Sequence, residues 1–373
     1  MKFLQGKFNK KEYLSKTRNV MKEAGDICVI SIPFAAGTLI ASALKCHYLC
    51  ASVSVCTATI LLAVISSKRT RCELPAALLF LSLGIFCYSS CSARGAIPLF
   101  NPLHDKLLPL FRDFICNLPF KKENTAPILC ALLTGDKSGM DRNIVSAFRE
   151  SGAAHILALS GLHLGVIYML VSKVFAAAGN SIRAAAVRSF VTIALCGSYA
   201  MATGFSPSIT RAFLFIVFNE ISKLRPGRRS SPLSTFLTVL TLQLIISPLS
   251  ISTIGFQLSY LAVLGIVLIY PALNGMYPQT KRLDIVGKIW SSAALSISCQ
   301  VTTAPLVWWY FRSLPEYFLL TNLISLPLSE ALIVSSVIAI VTGVIFPGAE
   351  IPAKLCDSLS DALVFCLETI SSM

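Results

Sequence analysis

The sequence has 373 residues, of which 55% are hydrophobic and only 13% charged, with a mean hydropathy of +0.72 and a net charge of +14. Soluble domains carry about 25% charged residues, so this composition excludes a soluble globular protein and indicates an integral membrane protein. The positive charge does not by itself imply a nucleic-acid partner, because Lys and Arg collect on the cytoplasmic loops of any polytopic membrane protein.

Most of the thirteen cysteines, among them Cys28, Cys56, Cys130, Cys196 and Cys299, lie singly in apolar runs without CxxC spacing. They read as small buried hydrophobes rather than a disulfide framework. The first 26 residues are basic and mostly polar, without the apolar core of a cleavable signal peptide. Seven Lys or Arg residues from Lys2 to Lys22 precede the first apolar run and place the N-terminus in the cytoplasm.

Spans are expected at 27–45, 48–66 and 74–91, each near the ~20 residues a bilayer requires. Lys68, Arg69 and Arg71 agree with that orientation, so the chain beyond residue 92 is expected outside. Residues 92–150 are broken by Pro98, Pro102, Pro109 and Pro119. Leu103, Leu107, Leu110, Phe111 and Phe114 recur there at helical spacing, as in a helix lying on the membrane surface. A short apolar helix from Pro127 to Thr134 should end at Gly135, and Asp141 should cap a helix over 142–150, a contribution of about 1 kcal/mol.

A fourth span, 153–177, contains His155, Ser160, Gly161 and His163, with Gly161 and Gly165 as a small-xxx-small pair that admits a close neighbouring backbone. Lys173, Arg183 and Arg188 put its end inside. The fifth, 187–203, returns outward to the turn at Gly204–Pro207, and the sixth begins there with Arg211 about one turn in. Lys223, Arg225, Arg228 and Arg229 mark the next cytoplasmic loop. The seventh and eighth spans, 232–250 and 253–271, are joined by a short neutral loop, and Gln257 opens the eighth. Lys281, Arg282 and Lys288 lie inside again. The ninth, 288–311, carries Gln300 and Pro305, then Trp308, Trp309 and Tyr310 as an interfacial cluster. Asn322, Pro327 and Glu330 interrupt residues 316–346, which predict a short or re-entrant segment followed by a full helix. Residues 352–371 are amphipathic. The expected fold is an all-α polytopic transmembrane helical bundle of about ten to eleven spans with interfacial and re-entrant helices. Three regions are expected: 1–92 with the basic N-terminus and three transmembrane helices, 93–150 as an extracytoplasmic or interfacial linker, and 151–373 as the main transmembrane domain.

Ser160 and His163, three apart, would project about 60° from each other on a helix, with His155 roughly 80° from His163. They could act as nucleophile and base, but no orienting third group or oxyanion hole is visible, and two polar groups satisfying each other between helices is the plainer reading. Asp136, His155 and His163 lack diagnostic metal-ligand spacing. Gly135-Asp136-Lys137-Ser138 is not a P-loop, since Lys follows Asp and Cys130 stands where the first glycine should be. With only His47, His104, His155 and His163, the chain cannot hold a His-rich dinuclear nuclease site. No catalytic residue, metal or cofactor is therefore expected. Arg211 either snorkels or pairs with a group such as Glu330, or it lines a wet path where a guanidinium can meet phosphates. Gln257, Gln300 and Asn322 read singly as interhelical hydrogen bonds, and together with Pro305 and Pro327 as signs of a bundle that is not uniformly dry.

Four collinear stretches carry a family resemblance: Ala131 to Gly139 followed by His155 to Gly165; Thr203 to Ala212; Ile254 to Gly265; and Leu320 to Pro327. In this order they resemble the competence domain of the ComEC/Rec2 proteins. The resemblance implies a multi-pass inner-membrane channel for DNA uptake in natural transformation, passing single-stranded DNA into the cytoplasm. Its path candidates are Asp136, His155, Ser160, Gly161, His163, Arg211, Gln257, Gln300 and Asn322. It also implies, as partners, the lipid bilayer, a periplasmic DNA receptor and cytoplasmic ssDNA-handling or ATPase proteins. Many members carry an OB-like domain before the segment equivalent to Ala131 and a metallo-β-lactamase-like nuclease after the last spans. Neither is seen in this stretch, so a separate nuclease is expected. Two alternatives stay open: a divergent transporter or membrane scaffold for another ligand on the same helical fold, and an intramembrane hydrolase using Ser160 and His163.

Overall fold

The computed structural model describes residues 25–45, 48–67, 73–94, 101–176, 182–224, 231–277, 285–312, 317–346 and 350–372. The basic stretch from Lys2 to Lys22 and the charges Lys68, Arg69, Arg71, Arg225, Arg228, Arg229, Lys281 and Arg282, on which the expected orientation leans, lie outside them, as does Pro98. Among the described residues every regular element is helical and no strand occurs. The helices are α1 (Gly25–Ala43), α2 (Tyr48–Ser67), α3 (Glu73–Arg94), α4 (Asn101–Cys116), α5 (Thr125–Thr134), α6 (Arg142–Glu150), α7 (Gly161–Ala176), α8 (Ile182–Ala202), α9 (Pro207–Lys223), α10 (Pro232–Ile246), α11 (Ile254–Leu268), α12 (Tyr270–Asn274), α13 (Ile285–Phe311), α14 (Phe318–Ile345) and α15 (Glu350–Ser371).

Among the described residues, three stretches are long and apolar enough to cross a bilayer: Glu73–Ala93, Ala184–Ala202 and Phe318–Ile345. Shorter apolar helices such as Ile27–Ala43, Gly161–Phe175 and Pro232–Ile246 occupy other expected spans. Two expectations change. Residues 318–345 form one continuous helix of 28 residues, not a re-entrant piece followed by a second helix. Pro327 deletes a single backbone donor, and the apolar flanks keep the remaining ladder, with Ser325 Oγ donating to the Thr321 carbonyl (2.6 Å) and Ser329 Oγ to that of Leu326 (2.9 Å). The fourth expected span does not begin at residue 153, because a 3-10 turn at Ala153–His155 and an irregular stretch precede α7.

The described residues fall into two compact units that are discontinuous in sequence. One comprises α1–α3, α10–α12 and residues 298–303 of α13. There α1 and α3 pack backbone to backbone: a Cβ at Gly37 would land on the Leu81 carbonyl, and one at Gly84 on that of Phe34. Hydroxyl bonds tie α1 to other parts of this unit, Thr241 of α10 donating to Ser31 (2.8 Å) and Ser42 bonding Ser252 of the 3-10 turn at Pro248–Ser252 (2.7 Å).

The other unit comprises α4–α9, the rest of α13, α14 and α15, and its core is α5. From Ile128 to Thr134 every residue of α5 is buried. Leu129, Leu132 and Leu133 share one cluster with Phe148 of α6, Leu332 and Ile333 of α14, and Leu363 and Leu367 of α15. The buried stripe of α15, Ala353, Cys356, Ser360, Leu363, Leu367 and Ile370, has the spacing of one helical face.

Candidate functional site

The loop after α5 is built by local rules. Gly135 closes the helix at φ 80°, in the left-handed region that glycine tolerates, and its N–H donates to the Ala131 carbonyl at 3.0 Å. Asp136 Oδ1 accepts from the Ser138 N–H (2.9 Å), while Oδ2 meets Arg112 Nη1 of α4 at 2.8 Å. The Ser138 backbone N–H, then the Ser138 side chain, and more weakly the Arg112 guanidinium hold this carboxyl below the usual range. Asp136 is thus occupied in fixing the loop against α4. Asp141 caps α6 as expected, accepting from the Asn143 N–H at 3.0 Å.

His155 ends the 3-10 turn, exposed, with Nδ1 at 3.1 Å from the Gly152 carbonyl. It does not share a helix with His163, and the angles expected for a continuous helix do not apply. Ser160 is the cap of α7: its Oγ accepts from the Leu162 N–H and its carbonyl from the His163 N–H, both at 3.2 Å. His163 is fully buried, and neither ring nitrogen bonds a side chain. The nucleophile–base bond that a Ser–His pair needs is therefore not formed. Among the described residues, no three His, Cys, Asp or Glu side chains converge as metal ligands would.

The turn between α8 and α9 is closed by the Phe205 N–H on the Ala200 carbonyl (2.9 Å) and the Gly204 N–H on that of Met201 (3.1 Å), with Gly204 at φ 70°. Pro207 then starts α9, and Arg211 follows one turn later, 8% exposed. The guanidinium lies against the first turn of α7. A Cβ added to Gly161 would stand 3.1 Å from Arg211 Nη2. The structure therefore brings Arg211 and Gly161 together, and Ser160 and His163 are close to Gly161 in the chain. Asn322, on α14 of the same unit, has its Oδ1 buried without a partner. Gln257 and Gln300 belong to the other unit, where Gln257 Nε2 donates to the Ile251 carbonyl (2.9 Å).

One polar cluster was missing from the sequence reading. Glu220, 2% exposed near the end of α9, accepts from Tyr168 of α7 (2.6 Å), Ser189 of α8 (2.7 Å) and Lys223 (2.6 Å). Its signal was available: Glu220 is the single acid of α9 and follows the apolar run from Ala212 to Phe218, where an ionisable group requires partners.

All the candidates of this unit, from Asp136 to Asn322, lie within residues 132–373, which match the family model described as Competence protein. The chain belongs to this competence protein family. Among its relatives, ComE operon protein 3 of Bacillus subtilis is 24% identical over 200 residues, covering 54% of this chain and 24% of the relative. Competence protein ComA of Neisseria gonorrhoeae is 28% identical over 208 residues (54% and 28%). Recombination protein 2 of Haemophilus influenzae is 27% identical over 219 residues (56% and 27%). The aligned part is about a quarter of the length of these competence relatives. No solved structure matches the chain.

Proposed function

We propose that this protein is an inner-membrane channel of natural transformation, passing single-stranded DNA into the cytoplasm. The observation that carries this reading is Arg211, a residue 8% exposed on α9, its guanidinium set against the capped start of α7 within the competence-family segment. A fixed cation offsets part of the cost of desolvating a phosphate, and its planar fork offers paired donors to phosphate oxygens. Gly161, against which the guanidinium lies, and Ser160 and His163, near it in the chain, belong to the same path in this reading. The names of the relatives, two of them competence proteins by title or operon, favour the same role.

The channel is of about ten to eleven spans, with a cytoplasmic N-terminus, the Gly204–Pro207 turn outside and Lys223 inside. It carries no catalysis of its own. A DNA receptor delivers the strand from the periplasm, cytoplasmic ssDNA-handling or ATPase proteins draw it in, and a separate nuclease degrades the other strand. Deleting the gene in a competent culture of the encoding organism tests this. Transformation should vanish while labelled DNA still enters a DNase-protected compartment outside the inner membrane. A parental transformation frequency in the deletion strain would refute the role and point to another ligand.

A further inference from the structure

We infer that Gly161 is a positioning residue for Arg211, its missing side chain providing the space in which the guanidinium lies. This deepens the reading of Arg211 as a contact of the translocated strand and rests on it. Gly161 and Gly165 share one spacing on one helix, but the structure separates them. A Cβ on Gly161 would stand 3.1 Å from both Arg211 Nη2 and Ala212 Cβ and 3.6 Å from the Ser208 carbonyl oxygen, whereas one on Gly165 would meet nothing within 4 Å. The backbone does not require glycine at 161, because its φ is outside the left-handed region. Alanine would suit the helix better. What excludes it is space.

The two neighbours of an added methyl respond differently. Ala212 Cβ is fixed to α9 and moves only with that helix. The guanidinium is the end of a flexible chain and yields first, by a few tenths of an ångström. Paired donors to a phosphate depend on orientation, so such a shift changes function before it changes the fold. This effect can be separated from helix packing, since the methyl of Ala212 can be removed independently.

The test compares Gly161→Ala, Gly165→Ala, Ala212→Gly, Gly161→Ala/Ala212→Gly and Arg211→Gln at the native locus, scoring transformation beside membrane levels by immunoblot. Gly161→Ala should lower transformation about tenfold, the factor that a displaced side chain's strain represents, while Gly165→Ala stays near the parental frequency. In the double variant the Cβ–Cβ contact is gone but the methyl still faces Nη2. It should accumulate like the parent and transform about tenfold less well. Parental transformation by Gly161→Ala, or full recovery in the double variant, would overturn the inference and leave Gly161 a packing residue only. If Arg211→Gln transforms normally, the strand-contact reading and this inference fall together. If Arg211→Gln is inactive and the double variant is parental, only the inference about Gly161 falls.

Discussion

The carboxylate of Asp357 on α15 accepts a hydrogen bond from the hydroxyl of Thr125 at the start of α5, 2.6 Å away. Its second oxygen accepts the Lys121 N–H at 2.9 Å, and the residue is 6% exposed. One buried side chain thus joins the last described helix to the core helix, from which the loop bearing Asp136 departs. Asp357→Ala strands two donors and should cost about 1.5–3 kcal/mol, since bonds to a charged group are the stronger kind. Asp357→Asn should retain part of the stability. Thermal unfolding of the purified protein in detergent measures both, and an unchanged midpoint for Asp357→Ala would remove Asp357 from the role of tie.

Asp136 predicts an acid dependence of determinable sign. Its folded carboxyl titrates below the ordinary value through the Ser138 backbone N–H, the Ser138 side chain and Arg112. The stability it contributes is therefore complete above the unfolded value of about 3.9 and is lost as pH falls through the folded one. Parent and Asp136→Asn should differ by a constant amount above about pH 5 and converge below about pH 4. Unfolding midpoints across that range decide it, and a gap that widens on acidification would reverse the assignment.

At Glu220 burial decides which partner matters. Glu220→Ala leaves the hydroxyls of Tyr168 and Ser189 without their acceptor and should destabilise by about 1–3 kcal/mol. Lys223→Ala removes the counter-charge of a carboxylate whose side chain is 3% exposed and should also destabilise, but by less, because Tyr168 and Ser189 still donate to that carboxylate and the lysine is itself 49% exposed. Equal losses for the two variants would indicate that the lysine charge, not the buried acceptor, holds α7, α8 and α9 together.

Arg211→Lys keeps the charge but loses the planar fork, and should retain partial transformation where Arg211→Gln loses nearly all of it. Arg211→Gln should reach parental membrane levels, since an uncharged residue is easier to bury than arginine, and Arg211→Lys should too, since it replaces one cation by another. Disappearance of Arg211→Gln from the membrane would make the arginine a structural partner instead.

The orientation is testable apart from the DNA. In a variant cleared of its thirteen native cysteines, an impermeant thiol reagent should label a cysteine at Ser206 and spare one at Ser230. The inverse pattern would turn the proposed topology over.

What the sequence by itself determined was local or compositional. The helical class follows from the length and apolarity of its runs. The stop at Gly135 and the cap at Asp141 were legible because each is set by atoms within about one turn of the chain. The family signature spans residues 132–373, and the chain order of its motifs was legible too. Local pattern failed where two signals compete. A mostly apolar stretch from 153 to 177 predicted one helix, yet Ser160 caps α7 and starts it later. Pro327 predicted a break, yet one lost donor does not outweigh a 28-residue ladder. Only the tertiary structure decided which identical spacings matter. Gly161 and Gly165 are indistinguishable in sequence, and α9, arriving from some fifty positions away, crowds the first and leaves the second open. Likewise Asp357 and Glu220 acquire their roles from Thr125, Tyr168 and Ser189, partners brought close by helix packing that no window of the sequence contains.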